Sequence, residues 1–452
     1  MRLTRTAFAS AIRKGLGRAL LYATQYGIDA VNDIVLDACL HNLSYDRQCE
    51  PSRAWWLFCF FKDTRYYDAF RASLIKALDT ETETYDLDQM CDLLKEMAAD
   101  GDKVAKQALY HYVKKQAAMP GSDEIGIDTW IELEGAKGLI ALARLFGRRL
   151  QKDPKDSPYQ YYFGTDKSER SLKQSLFNAA QQYPYVGVYW SYLKRSGAFK
   201  PPLTPARWKI IRKNRRRITR KHHTFSGIVN DAQNGVGEYP GHYVSFGQYA
   251  TARELEKIHT LLIAEPDNDI RMRLLWVFRR ARLPHVDKKI LLWANGTHEG
   301  LRAAAISALA QVSDRRIRRL AIAKVKAGEI LGADNEAIDL FLNCYRRGDA
   351  ELIANALCSA RPEAGEAHCL GFSITGLAER YHDDALKNAL RWTYENNPCT
   401  NCRYLIITEL DRIGRLDARM INECRYDASE ETRTYAGKKS IPDCGEERGS
   451  GT

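Results

Sequence analysis

The chain contains 452 residues, of which 45% are hydrophobic and 28% are charged, and its formal net charge is +11. This composition excludes an intrinsically disordered chain, and the length is too great for one compact core. No run of about 18 apolar residues occurs, so the sequence predicts no membrane span. The 11 cysteines are scattered along the chain, which favours reduced thiols and a cytoplasmic protein.

The first 28 residues are basic and amphipathic, with Phe8, Ile12, Leu16 and Leu20 on one helical face. Two interpretations are open. An organelle transit peptide has this composition, and so does the first helix of an α-helical fold. The helical pattern continues after Ile28, and it favours the first helix of a fold.

Apolar stripes at helical spacing continue through residues 1–150, which predicts an N-terminal array of helical hairpins. The stretch RAWWLFCFF, residues 53–61, is apolar on all sides and therefore indicates a buried helix.

Residues 151–250 differ in composition, because they are basic and rich in tyrosine and glycine. We expect an irregular central segment here, helical near residues 172–180 and 205–221. Five glycines in residues 227–249 predict a long loop.

From residue 251 the pattern becomes regular. The clearest stripe repeats at three and four residues and comprises Leu301, Ala304, Ala305, Ala308, Leu309 and Val312. We expect helix pairs over residues 251–436 and a flexible tail over residues 437–452.

A second signal accompanies these helices, because an acid or a short polar turn precedes an arginine that opens a helix. Arg271 and Arg302 are 31 residues apart, and Arg403 and Arg433 are 30 apart. This pattern resembles the short HEAT-repeat family, whose period is near 30 residues. The resemblance implies an all-α solenoid of stacked antiparallel helix pairs. It also implies a non-catalytic binding or scaffold role, since this family binds many kinds of partner.

Positive charge is concentrated in one segment. Residues 171–230 contain no Asp or Glu and 13 Lys or Arg, so +11 minus +13 leaves −2 for all other residues. On one predicted helix lie the candidate nucleic-acid-binding residues, which are Arg207, Trp208, Lys209, Arg212, Lys213, Arg215, Arg216, Arg217, Arg220 and Lys221.

Three interpretations of this basic segment are open. Phosphate backbones match its charge density, and nearby tyrosines and tryptophans suit base stacking, so nucleic acid is the first polyanion to consider. The cations are also consistent with a solvated face that pairs with acids of the fold, such as DTETETYDLD at residues 79–88. A localisation signal or an acidic protein partner is the third interpretation.

Four cysteines are weak candidates for a zinc site. Cys399 and Cys402 form a C-x2-C pair, but Cys424 and Cys444 are 20 residues apart rather than forming a second close pair. A cysteine at a helix start also packs well as a small apolar residue. The sequence therefore predicts no bound metal and no other cofactor.

No catalytic motif is present. The pair His298–Glu299 resembles the iron-binding pairs of deoxyhypusine hydroxylase, a short-repeat enzyme, but that enzyme needs several pairs and this chain has one. Three functions stay open: a non-catalytic binding protein with a protein partner, a nucleic-acid-binding protein, and an enzyme without a recognisable motif. The oligomeric state is not predicted.

Overall fold

The computed structural model of the chain describes residues 2–164, 166–199, 208–211, 214, 220–236 and 240–439. These residues are 70% helical and contain no strand, which confirms the prediction of an all-α protein. No helix among them is both long enough and apolar enough to cross a bilayer.

The chain forms two compact units, Met1–Thr204 with Ile421–Thr452, and Pro205–Met420. The boundaries of these two units differ from the boundaries at residues 150 and 250 of the segments defined from the sequence. Those segments group residues by composition, whereas the units group them by contact. The first unit contains α1 Arg5–Lys14, α2 Gly17–Tyr26, α3 Asn32–Leu40, α4 Ala54–Phe61, α5 Tyr67–Ala77, α6 Thr84–Ala99, α7 Lys103–Ala118, α8 Ile127–Glu134, α9 Ala136–Lys152, α10 Lys167–Gln182 and α11 Pro184–Ser196.

The second unit contains α12 Phe225–Gln233, α13 Gly241–Tyr249, α14 Ala252–Ala264, α15 Asn268–Trp276, α16 Lys288–Trp293, α17 Glu299–Leu309, α18 Arg315–Ala327, α19 Asp349–Ser359, α20 Ala364–Tyr381, α21 Lys387–Asn396 and α22 Thr400–Arg412. Short 3-10 helices cover Val277–Arg279, Gly332–Asp334, Ala337–Phe341 and Asp384–Leu386. The last two helices are α23 Ala418–Cys424 and α24 Glu430–Gly437.

The core of the first unit contains the helix α4 at its centre. Trp56, Phe60 and Phe61 are buried there, which confirms the prediction from the apolar stretch. The exception is Trp55, which is 47% exposed and lies under the guanidinium of Arg433. At the start of the chain, Phe8 and Ile12 of α1 are also buried, as expected for the first helix of a fold.

The chain returns to the first unit after residue 420, and this return is held by backbone contacts. The indole Nε1 of Trp56 donates to the carbonyl of Tyr426 at 2.8 Å, and the amide of Ala428 donates to the carbonyl of Gly15 at 3.0 Å. A Cβ atom at Gly17 would collide with the carbonyl oxygen of Glu423, so this close approach requires glycine.

The predicted loop over residues 227–249 is wrong for most of its length, because the structure has α12 and α13 there. The glycines have roles inside or at the ends of these helices. The backbone amide of Gly227 donates to the hydroxyl of the N-cap residue Thr224. Gly247 allows α13 to approach the carbonyl oxygen of Val277, with which a Cβ atom at residue 247 would collide. Because close helix packing and helix breaking both favour glycine, composition alone does not separate them.

The stripe on α17 is confirmed, since all its members from Leu301 to Val312 are buried. Three of the four repeated arginines make a shared contact. Each lies four residues after the N-cap and donates to the carbonyl six residues before itself: Arg271 to Glu265 at 2.6 Å, Arg302 to Gly296 at 2.8 Å, and Arg433 to Asp427 at 2.7 Å.

A buried ionic cluster joins Arg302 of α17 to the neighbouring helix α18. Lys324 of α18 is 2% exposed, and its Nζ lies 2.7 Å from Asp334 and 3.1 Å from Glu329. Asp334 also forms an ion pair with Arg302, whose Nε lies 3.2 Å away. The buried carboxylate of Asp334 is therefore compensated by two cations from two helices.

We predict that Lys324→Ala lowers the free energy of unfolding by about 2–4 kcal/mol, because it leaves a buried carboxylate with one cation fewer. The exposed Lys326, two residues later, provides the matched control, and Lys326→Ala is expected to change stability by less than about 0.5 kcal/mol. Urea denaturation followed by circular dichroism measures both variants. Equal effects of the two changes would contradict the role given to the buried cluster.

Candidate functional site

Four candidates of the basic segment lie in the described part of the chain. Residues 208–211, 214 and 220–222 are helical, and Trp208, Lys209, Arg220 and Lys221 are all exposed. Trp208 is 48% exposed, so its ring is accessible for stacking. The remaining candidates, which are Arg207, Arg212, Lys213, Arg215, Arg216 and Arg217, lie outside the described residues.

Arg220 is partly compensated within its own unit. Its guanidinium lies 3.5 Å from the carboxylate of Glu254. Glu254 is the third residue of α14, where it forms a capping box with Thr251, and hydrogen bonds from the amide and hydroxyl of Thr251 lower its pKa. Because this pair is solvent-exposed, its contribution to stability is below about 1 kcal/mol.

The acids of residues 79–88 have contacts in the first unit. Glu83 lies 3.2 Å from Arg47, and Asp86 accepts the backbone amide of Asn42 at 2.6 Å. Glu81 accepts the amides of Thr82 and Glu83, and these bonds lower its pKa. Three acids named as possible partners of the basic segment thus contribute to local structure.

Two adjoining clefts lie beside the basic segment in the second unit. A small cleft of about 100 Å³ is lined by Arg220, His223, Thr224, Phe225, Phe246, Tyr249, Ala250 and Glu254. A larger one of about 330 Å³, here named the arginine cleft, is lined by Gly241, Val244, Ser245, Gln248, Tyr249, Arg279 and Arg280. Tyr249 lines both clefts.

The arginine cleft is formed by one face of α13 against the 3-10 turn that follows α15. Ser245, Gln248 and Tyr249 share this face because they are three and four residues apart. The close approach at Gly247 brings the turn with Arg279 and Arg280 to the same face.

The two arginines of this cleft differ in their compensation. Arg279 donates to Glu336 at 2.7 Å, whereas Arg280 is exposed and has no ion pair or hydrogen bond with any described residue. Arg280 therefore contributes an uncompensated positive charge beside the amide of Gln248 and the hydroxyl of Tyr249. These groups are suited to a phosphate or carboxylate ligand.

An acidic cleft of about 530 Å³ lies in the first unit, lined by Asn42, Arg47, Gln48, Glu50, Ser52, Tyr85, Asp88, Gln89, Asp92, Asp128, Thr129 and Glu132. Asp88 is exposed at the cleft, but desolvation by the surrounding residues, followed by the charges of Asp92 and Asp128, raises its pKa to about 6. Desolvation also raises the pKa of Asp128, which accepts the hydroxyl of Tyr159. Lys95 partly neutralises the cleft through Glu132 at 2.7 Å.

The structure brings two of the four candidate cysteines together with a histidine. Cys399, Cys402 and His368 place their ligand atoms within 4.8 Å of one another. Cys424 is buried in α23, and Cys444 lies outside the described residues. His368 lies 31 residues before Cys399 on another helix, so no local sequence signal links it to the C-x2-C pair.

His298 has a structural role. It is the N-cap of α17, where its Nδ1 accepts the amide of Leu301 at 3.2 Å. Another group of residues with possible metal ligands comprises His41, Glu81 and Asp86. Its carboxylates accept backbone amides, as described above.

No known protein-family model matches the chain. A search of curated proteins likewise finds no significant match.

We predict that Asp88→Asn stabilises the protein in a pH-dependent manner. Because the folded pKa of Asp88 is raised to about 6, ionisation costs stability as pH rises from about 4 through 6, and the cost is fully present above that range. The cleft is open to solvent, so we expect a gain of no more than about 1 kcal/mol at pH 8 and none at pH 3.5.

Thermal unfolding at both pH values tests this prediction, with the exposed Asp79→Asn as the matched control. An equal gain at pH 3.5 and pH 8 would show that the substitution acts through packing rather than charge.

Proposed function

We propose that the protein is a non-catalytic binding protein, built as a HEAT-like α-solenoid, whose second unit binds a polyanion. The single observation that carries this proposal is the uncompensated Arg280 in the arginine cleft, which shares Tyr249 with the small cleft that Arg220 lines. Arg279 has an acidic partner in Glu336, whereas Arg280 has none among the described residues. The charge of Arg280 is therefore available to an anionic ligand in the cleft.

Single-stranded nucleic acid is the polyanion that these features favour. Trp208 is exposed at the start of the basic segment, and Tyr249 lies between the two clefts. Aromatic rings beside cations suit unpaired bases, whose faces are free to stack. The basic character of residues 207–221 would extend the contact along a phosphate backbone.

The repeat architecture is part of the same proposal. The arginines at positions 271, 302 and 433 make the same contact to a carbonyl six residues earlier, and the 31 residues between Arg271 and Arg302 fit a period near 30 residues. Stacked helix pairs present extended surfaces, and this suits a macromolecular ligand better than a small substrate.

A protein partner with a cationic segment is the second candidate, and the acidic cleft of the first unit favours it. Desolvation, followed by the charges of Asp92 and Asp128, raises the pKa of Asp88, and a Lys- or Arg-rich segment would relieve this repulsion. A deca-arginine peptide is expected to bind the wild type more tightly than Asp88→Asn. Equal affinity for both would exclude this use of the cleft.

We predict that single-stranded DNA binds with an affinity that depends strongly on salt, with a slope of log affinity against log salt of about −3 to −5. Arg280→Ala is expected to reduce the magnitude of this slope by about 0.7. Changing Arg212, Arg215 and Arg216 together to Ala is expected to reduce it further. Fluorescence anisotropy of a labelled oligothymidylate measures each slope.

Arg315→Ala is the matched control, because Arg315 is an exposed arginine of the same unit that lines neither cleft. Its slope should equal that of the wild type. Absence of binding by the wild type at low salt would overturn the polyanion proposal. Equal losses in Arg280→Ala and Arg315→Ala would exclude the arginine cleft as the place of binding.

A further inference from the structure

The C-x2-C pair lies at the start of α22. Cys399 is the N-cap residue and is 4% exposed, and Cys402 is in the first turn and is 9% exposed. Both sulfurs therefore belong to the first turn of one helix, at the close spacing that zinc-binding cysteine pairs have.

The third member of the group comes from a different helix. His368 is in the second turn of α20, and its Nε2 lies 3.2 Å from the Sγ of Cys402. The three ligand atoms all lie within 4.8 Å of one another. In a tetrahedral zinc site the ligand bonds imply separations of about 3.8 Å between sulfurs and about 3.6 Å between sulfur and nitrogen. The observed cluster is thus within about 1 Å of the size that zinc requires.

The loop before Cys399 is fixed in place by a buried amide. Asn397 is fully buried, and its Oδ1 accepts the backbone amide of Cys399 at 3.0 Å. The carboxamide packs against α20 at Gly371, where a Cβ atom would collide with Asn397 Nδ2. This packing holds the cysteine loop against the helix that carries His368.

We propose that His368, Cys399 and Cys402 bind one zinc ion, which joins α20 to α22. Two thiolates and an imidazole are soft and borderline donors, which select zinc over magnesium or calcium. Zinc has four ligands, so one position remains for a water molecule or a further ligand. This site is independent of the proposed polyanion binding, because none of its residues lines either cleft of the second unit.

The first experiment measures zinc in the full-length protein purified under reducing conditions, by elemental analysis. We expect one zinc per chain, or uptake of one equivalent when zinc chloride is added to metal-depleted protein. Cobalt substitution should give the intense visible absorption of tetrahedral thiolate coordination. Failure to bind either metal would overturn the proposal, and so would formation of a Cys399–Cys402 disulfide as the stable state under these conditions.

Substitutions identify the ligands. His368→Ala and Cys402→Ser are each expected to weaken zinc binding by at least about tenfold. Cys358→Ser is the matched control, because Cys358 is an exposed cysteine of the same unit and outside the cluster. Circular dichroism confirms that each variant folds, and His368→Gln provides a conservative second change. Stoichiometric zinc with unchanged affinity in His368→Ala would overturn the assignment of the histidine.

Cys444→Ser tests the four-cysteine alternative that the sequence suggests. This variant is expected to retain one zinc per chain, because the proposed ligands are His368, Cys399 and Cys402. Loss of zinc in Cys444→Ser, together with retention of zinc in His368→Ala, would show that Cys444 rather than His368 is a zinc ligand. This result would overturn the proposal. Loss of the polyanion binding alone would leave the zinc site unaffected, so the two proposals fail separately.

Discussion

The start of several helices depends on one contact. An arginine four residues after the N-cap donates to the backbone carbonyl of the residue two positions before that N-cap. Arg271, Arg302 and Arg433 all make this contact. A charged donor shared with a backbone carbonyl is stronger than a neutral hydrogen bond, and it fixes the angle at which the chain enters the helix. The contact at Arg271 sets the direction of α15, and the turn after α15 places Arg279 and Arg280 beside α13.

The arginines of the structure separate into those that hold the fold and those that do not. Arg302 and Arg149 are largely buried and are bound to carboxylates and carbonyls. Arg149 donates to Asp156 at 2.8 Å, and this bond lowers the pKa of that carboxyl. Removing such a residue would leave buried polar groups unpaired, whereas Arg280 has no such group to satisfy. Its charge is therefore available for the polyanion binding that we propose.

The sequence predicts those features that depend on neighbours within one helical turn. The stripe from Leu301 to Val312 and the buried helix α4 follow from periodicity, because a helix repeats its contacts every three or four residues. Features that depend on distant residues are not encoded locally. Gly247 has the same composition signal as a turn glycine, and only its contact with Val277 distinguishes it. His368 is likewise joined to the cysteines by the packing of α20 against α22 and by nothing in their spacing.

Cys399 lies four residues before Arg403, and the same spacing separates the N-caps of three other helices from their arginines. This spacing explains why the cysteine pair lies at the start of a helix. Asp267, His298 and Ser429 are N-caps four residues before an arginine, and each accepts a backbone amide of its helix. Cys399 has the equivalent position before Arg403, yet its side chain makes no capping hydrogen bond. Loss of a polar cap costs a helix roughly 0.5–2 kcal/mol, so cysteine is a poor choice on stability alone. A metal ion bound by Cys399 and Cys402 would offset this loss, because it would fix the first turn of α22 from outside the helix.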